Sequence, residues 1–415
     1  MKLSELKDKK IAVVGLGLEG QATLKYLKHH FSDKEIGIID QKDGPNYLDK
    51  LKDYELAIKT PGIPGRKISI PYTSATNIFF ANTKGKIIGI TGSKGKSTTT
   101  SLIYDILAAA KYDVKLVGNI GKPMLDELLA PESADRWYVT ELSSYQLEDI
   151  NYSPHISVLI NFFPDHLDYH GGLEAYWEAK KRIVARATKD DYFIYNPVYE
   201  RLADLAKTSK AKSIPCEEAL PFFESGIPLL GKHNQDNVRI AITVAHVLHI
   251  ENNVIETAVK NFKPLPHRLE NVGTFEGVTF YDDAISTTPE STIAAIDALP
   301  EIGTIFLGGT DRGYTFDALA IKILDKEIPN VVLFPQSGAQ ILVALIRLSK
   351  EKGKKLPQIM EAADMKSAVA FTYMATPKNT VCLLSTASPS YSLWKNFEEK
   401  GALFQKCIKE MAQLS

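Results

Sequence analysis

Short apolar, β-branched runs alternate with amphipathic stretches along almost the whole chain, which predicts strands wrapped by helices in parallel sheets. The first such stretch predicts a strand from Lys10, a helix to about His29, and strands over 35–39 and 56–60. The third strand runs into the stiff turn Thr60-Pro61-Gly62-Ile63-Pro64. A second stretch predicts strands over 87–90, 114–117, 137–141, 156–161 and 192–195, with helices over 97–110, 176–183, 238–248 and 253–262. The third begins with a hairpin over 272–281 around Glu276-Gly277. It continues with a helix over 290–299, strands over 304–307, 331–334 and 381–385, and a terminal helix. The pattern pauses near Asn82 and again over 263–268, where Pro264 and Pro266 resist helix and act as a stiff hinge. The expected fold is α/β in three domains: 1–82, Rossmann-like; 83–264, a central parallel sheet of the P-loop type; and 265–415, a second Rossmann-like α/β domain.

Composition changes this picture little. A length of 415 residues exceeds one ordinary core. The formal net charge of -1 lacks the basic excess of a nucleic-acid or membrane-surface protein. Cys216, Cys382 and Cys407 lie far apart and support neither a disulfide framework nor a metal knuckle. No apolar run reaches about 18 residues, and the N-terminus has no apolar signal segment, so a cytoplasmic protein is expected.

The chemistry gathers at strand ends. Residues 86–100 read K-I-I-G-I-T-G-S-K-G-K-S-T-T-T, a strand entering a glycine loop and then a helix. Gly92, Ser93, Lys94 and Gly95 would turn backbone N–H groups onto an anion, Lys96 adds charge, and Ser97 and Thr98 open the helix, where the serine hydroxyl can ligate Mg²⁺. Gly89 stands one residue before the first glycine of the usual pattern. The plainer alternative is a glycine turn with solvated lysines.

Gly15, Gly17 and Gly20 form a G-x-G-x-x-G turn with Asp40 beyond it. This suits NAD or another nucleotide diphosphate, or simply close packing of a helix. Glu141 ends a hydrophobic strand in Glu-Leu-Ser-Ser and is either a Mg²⁺ ligand or a helix cap. Asp165, His166, Asp168 and His170 form a metal or substrate loop, or a satisfied polar turn. Lys180 sits one helical turn after Tyr176, where a lysine is ordinarily solvated.

Taken together these segments resemble the Mur ligases, ATP-dependent amide-forming enzymes of peptidoglycan precursor synthesis. The resemblance spans essentially the whole chain. Residues 89–100 are similar to their ATP loop, 141–147 to their Glu-x-Ser-Ser-aromatic-Gln-Leu signature, and 161–170 to the loop carrying a metal-binding histidine. Residues 265–270 are similar to their Leu-Pro-His-Arg-x-Glu junction, and 384–390 with 395–401 to the C-terminal signature of the glutamate-adding branch.

The resemblance implies that Gly15, Leu16, Gly17, Asp40, Thr60, Asn119 and Ser143 bind UDP-N-acetylmuramoyl-L-alanine. It implies ATP on residues 92–98, Asn234, Asn237, Arg268 and Asp283, and catalysis by Lys96, Glu141, His166 and Lys180. Mg²⁺ would lie on Ser97, Glu141, His166 and a carbamylated Lys180, and glutamate on Thr287, Arg312, Ser390 and Phe397. The implied reaction is ligation of D-glutamate through an acyl phosphate by a cytoplasmic monomer serving cell-wall growth, shape and division, with small molecules as its partners.

Three departures bear on the amino acid. Ile285 stands where a lysine is usual, Arg312 replaces a lysine, and the turn over 76–80 lacks an expected acid. L-glutamate is therefore the alternative, as is another Mur or folylpolyglutamate-type ligase. A folate-type enzyme generally lacks the unit at 1–82. A catalytically silent nucleotide module has no need of Lys96, Ser97, Glu141, His166 and Lys180 together. An NAD dehydrogenase would bind nicotinamide.

Overall fold

The structure is a computed structural model that describes residues 1–216, 218, 227 and 229–413. It forms two compact units, Met1–Ile227 with His233–Phe262, and Pro228–Lys232 with Lys263–Ser415. The stretches expected as domains over 1–82 and 83–264 share the first unit, each with its own sheet.

The first sheet contains β1 (Ile11–Val14), β2 (Gly37–Ile39), β3 (Leu56–Lys59) and β4 (Tyr72–Ser74), all parallel, in the order β2-β1-β3-β4. The second contains β5 (Lys86–Thr91), β6 (Val114–Gly118), β7 (Trp137–Glu141), β8 (Ile156–Leu159), β9 (Tyr192–Tyr195) and β10 (Lys212–Pro215). Its order is β10-β9-β8-β5-β7-β6, again parallel throughout. Its middle strands are mostly apolar and do not alternate with polar residues, as expected of a sheet covered on both faces; every residue of β7 and β8 is buried, Thr140, Glu141 and Ser157 included.

One apolar core runs through both sheets of this unit, from Val13 and Ile58 through Ile78 and Phe79 to Tyr138 and Phe193. The turn expected over 76–80 is instead part of helix Ala75–Asn82. Ser74 caps this helix by accepting the Asn77 N–H at 3.3 Å, and its buried Phe79 meets Tyr138 edge-on at 5.1 Å. The paired apolar residues of that segment have no polar alternation to mark them as a surface turn, and burial favours the helix. Lys59, at the end of β3, is itself buried and reaches Asp149 at 2.6 Å.

The second unit carries β11 (Glu270–Phe275), β12 (Val278–Asp282), β13 (Ile302–Gly308), β14 (Asn330–Phe334), β15 (Gln358–Glu361) and β16 (Val381–Leu384), ordered β11-β12-β16-β13-β14-β15. Only β11 is antiparallel. It turns back at Glu276 and Gly277, whose positive φ values of 51° and 79° suit a two-residue hairpin. β4, β10 and β15 were not expected from the sequence. They are short edge strands, and β10 and β15 have no fully buried residue to carry a hydrophobic pattern.

Candidate active site

The glycine loop joins β5 to helix Lys96–Ala109, and residues from distant segments hold it. Asn161, at the end of β8, grips Lys94 on both sides: its Oδ1 accepts the Lys94 N–H and its Nδ2 donates to the Lys94 carbonyl, each at 3.0 Å. Ser93 Oγ accepts the Phe163 N–H at 2.9 Å and lies 3.0 Å from the Tyr176 hydroxyl. Gly95 has φ +82° and caps the helix. A Cβ there would lie 2.3 Å from Asn237 Oδ1, an oxygen fixed by the Thr99 hydroxyl at 3.2 Å. Asn237 in turn donates to Asn234 Oδ1 at 2.9 Å. Ser97 and Thr98 are buried in the first turn of the helix. Asn161 and Tyr176 were not assigned to the site from the sequence, although the crowding of polar groups over 161–170 pointed to this loop.

Two lysines converge on one carbonyl. Lys96 Nζ donates to the carbonyls of Gly92 at 3.0 Å and Ser93 at 3.1 Å, and Lys180 Nζ donates to the same Gly92 oxygen at 2.8 Å. Lys180 is buried, against the ordinary expectation of a solvated lysine, with its ammonium 4.7 Å from the Tyr176 ring centroid. Burial first, and then repulsion from Lys96, hold its pKa well below the usual lysine range.

Glu141, the last residue of β7, is 1% exposed. Asn119 Nδ2 donates to its Oε1 at 2.8 Å, while Oε2 is buried with no hydrogen-bond partner among the described residues. An ionised oxygen left in that condition is costly unless a cation meets it. Glu141, paired with Ile90 near the end of β5, thus offers a buried carboxylate oxygen, which with a serine hydroxyl such as that of Ser97 is the hard oxygen chemistry that Mg²⁺ takes; the imidazole of His166 is a softer nitrogen donor. Glu141 is not a helix cap; Ser143 caps Ser144–Leu147, accepting the Gln146 N–H at 3.3 Å while the Gln146 side chain takes its own N–H at 3.0 Å.

His166 lies in the left-handed region at φ +51°, ahead of the single helical turn Leu167–His170. His170 is buried and bonds Ser144 Oγ at 3.0 Å; burial, then His166, lowers its pKa to about 4. It is a neutral packing group.

At the first glycine turn, Asp40 Oδ2 accepts the Leu16 N–H at 2.7 Å and Oδ1 accepts that of Lys42 at 3.1 Å. These bonds hold the carboxyl below its ordinary range. Thr60 donates its N–H to the Val14 carbonyl at 2.9 Å and its hydroxyl to the same oxygen at 3.1 Å, closing the turn next to Gly15. Gly17 has open space above it.

Within the second unit, Asp283 is buried between the Leu269 N–H at 3.3 Å and the Ser385 hydroxyl at 2.8 Å. Burial raises its pKa to about 6, against the pull of those bonds and of Arg268. Thr287 and Phe397 are half-buried and Arg312 is exposed. Ser390 is buried with its hydroxyl unpartnered among the described residues, beside the Thr310 N–H that meets the Pro389 carbonyl at 2.8 Å.

Residues 90–220 match the Mur ligase middle domain. The chain is 31% identical to the UDP-N-acetylmuramoyl-L-alanine–L-glutamate ligase of Salinispora tropica, covering 99% of this chain and 100% of that protein. It is 30% identical to the UDP-N-acetylmuramoylalanine–D-glutamate ligase of Symbiobacterium thermophilum, covering 98% and 99%. Among solved structures, the UDP-N-acetylmuramate-alanine ligase MurC of Thermotoga maritima superposes with a TM-score of 0.64 at 17% identity, over 98% of this chain and 99% of that one. The MurF ligase of Thermotoga maritima, solved with ADP, superposes with a TM-score of 0.63 at 15% identity, over 99% and 98%.

Proposed function

The chain belongs to the Mur ligase family, ATP-dependent ADP-forming ligases, and from that premise we propose that it joins D-glutamate to UDP-N-acetylmuramoyl-L-alanine in peptidoglycan precursor synthesis. The observation that carries the reading is the convergence of Lys96 and Lys180 on the Gly92 carbonyl, in the fold that also presents Glu141 with one unpartnered buried oxygen. That arrangement suits a polyphosphate and its counter-cation better than any dinucleotide.

In the proposed reaction, loop residues 92–98 with Asn234, Asn237, Arg268 and Asp283 bind ATP. Residues Gly15, Leu16, Gly17, Asp40, Thr60, Asn119 and Ser143 orient the UDP-linked substrate. Its alanyl carboxylate attacks the γ-phosphorus, ADP leaves, and the amine of glutamate displaces phosphate from the acyl phosphate. Lys96 stabilises charge on the phosphoryl group in flight. Ser97, Glu141, His166 and a carbamylated Lys180 would hold Mg²⁺, which when bound neutralises phosphate charge. Thr287, Arg312, Ser390 and Phe397 receive glutamate, with Arg312 able to grip a carboxylate in two-pronged fashion. No helix among the described residues is long and apolar enough to cross a membrane. We assign a cytoplasmic monomer acting on small molecules.

L-glutamate is the second reading, because Ile285 removes an anion-binding lysine and two of the relatives are named for the L-enantiomer. Phosphate release from ATP with Mg²⁺ and UDP-N-acetylmuramoyl-L-alanine, run with D- and L-glutamate in parallel, separates them. Release with D-glutamate alone supports the first, release with L-glutamate alone the second, and release with neither overturns both.

A further inference from the structure

The family pattern asks only for an aromatic residue at the fifth position of the Glu141 signature, and this chain places a phenol there. Tyr145 lies in the helical turn Ser144–Leu147, four residues after Glu141, on a segment pinned by the Ser143–Gln146 capping box. Its hydroxyl is 2.9 Å from His166 Nδ1. Its ring is fixed on two further sides: edge-on to Tyr169 with centroids 4.1 Å apart, and stacked on His170 at 5.7 Å with the planes 9° apart. The hydroxyl is thus presented from a held ring rather than from a free surface side chain.

The partner is held too. His166 takes a left-handed backbone, φ +51°, which a non-glycine residue adopts only when its surroundings require it, and the Asp165 side chain accepts its N–H at 3.0 Å. The other ring nitrogen, Nε2, faces Asp165 Oδ2 at 3.7 Å, beyond hydrogen-bond range, and that carboxylate stands 3.5 Å from Lys94 Nζ of the glycine loop. Of the two ring nitrogens, Nδ1 is engaged by the phenol and Nε2 faces the carboxylate that also meets Lys94 of the glycine loop.

We propose that Tyr145 is a positioning residue for His166: its phenol oxygen accepts the Nδ1–H, which leaves the Nε2 lone pair directed toward the phosphate loop as a ligand for a divalent cation. One rigid segment then presents the Glu141 carboxylate and also sets the tautomer and aim of the imidazole. The inference rests on the reading of His166 as a metal ligand.

The test uses Mn²⁺ as probe, titrated into the full chain with ADP and followed by electron paramagnetic resonance. The proteins compared are the wild type, Tyr145→Phe, His166→Asn and the double variant. Tyr145→Phe keeps the ring and its stacking, so its thermal midpoint should match the wild type. His166→Asn should weaken one Mn²⁺ site, and Tyr145→Phe should weaken the same site about 10-fold, the effect expected of a lost outer-shell partner. In the His166→Asn background the tyrosine change should add nothing. Equal Mn²⁺ affinity in Tyr145→Phe and wild type, or the same further loss in the His166→Asn background, overturns the proposal alone. Unchanged Mn²⁺ binding in His166→Asn, or no Mn²⁺ binding by the wild type, overturns the metal reading of His166 and the proposal with it.

Discussion

The first unit contains two loops of one design, strand into glycine turn into helix, and their polar groups are arranged in opposite ways. At residues 15–20 a carboxylate occupies the turn: Asp40 Oδ2 accepts the Leu16 N–H at 2.7 Å, and no lysine follows. At residues 92–97 an amide side chain, Asn161, holds the Lys94 N–H, and the side-chain nitrogens of two lysines, Lys96 and Lys180, meet at the Gly92 carbonyl. The first turn is an acceptor site, suited to hydroxyl or N–H groups of a nucleotide; the second is a cationic site, suited to phosphates. A glycine pattern states that backbone must come close to something. The charges supplied by neighbouring strands decide what that something is.

The largest effect that would break this contrast comes from Lys96. Its ammonium, anchored on the Gly92 and Ser93 carbonyls, is the charge proposed to meet the transferred phosphoryl group, so Lys96→Met should lower the turnover number for phosphate release about 1000-fold with the thermal midpoint unchanged. A loss below about 10-fold would show that the charge on the phosphoryl group is met elsewhere and that the loop lysine is a packing group.

Lys180 sharpens the contrast next. Burial and Lys96 depress its pKa, so the amine is more readily neutral than an ordinary lysine, and only a neutral amine adds CO₂ to become a carbamate. Bicarbonate-free buffer should reduce phosphate release about 10-fold relative to bicarbonate-supplemented buffer, a loss of about 1.4 kcal/mol in transition-state stabilisation. The sign with pH follows: as pH falls through the amine's own pKa, protonation removes the nucleophile and activity should drop faster than in bicarbonate-rich buffer. The depressed pKa also means that, between the ordinary lysine range and this lowered value, the folded chain binds fewer protons here than the unfolded one, so without carbamate the native state loses stability as pH falls from the ordinary lysine range toward the lowered pKa, and loses no more below it. No response of activity to bicarbonate would leave Lys180 as a buried cation that only anchors the Gly92 carbonyl.

Much of this was legible in the residues, and the limits have physical causes. The strand, Gly-Lys-Ser and helix of residues 87–109 are local, so their pattern survives in sequence, and β7 ending in Glu141 reads as a buried strand with one misplaced charge. What sequence could not display is partnership across the sheet. Asn161 clamps Lys94 from 67 residues away, Asn119 takes one oxygen of Glu141 from 22 away, and Asn237 closes over Gly95 from helix Lys232–Val247. A lysine one turn after Tyr176 looks solvated until helix Leu173–Lys181 brings it to the end of β5, where the Thr91 hydroxyl and the Gly92 carbonyl meet it. The edge strands β10 and β15 were missed for the converse reason: they bury too little to leave a periodic trace.

The smallest expected effect compares the glycines themselves. Gly95→Ala must place a Cβ at φ +82° and 2.3 Å from an Asn237 oxygen that is itself hydrogen-bonded, so neither the backbone nor the neighbour gives easily. The left-handed backbone costs about 1 kcal/mol and the overpacking about 1–3 kcal/mol, which should lower the thermal midpoint by about 5 °C. Gly17→Ala meets nothing within 4 Å, and its φ of -68° suits any residue, so its stability should stay within about 0.5 kcal/mol of the wild type. The open volume over Gly17 is also where the proposed UDP-linked substrate approaches the backbone. Gly17→Ala should therefore raise the KM for that substrate and leave both the midpoint and the KM for ATP unchanged. If the KM for the UDP-linked substrate does not move either, the first turn is a packing turn and not a ligand loop, and the contrast between the two loops reduces to the presence of lysine in one of them.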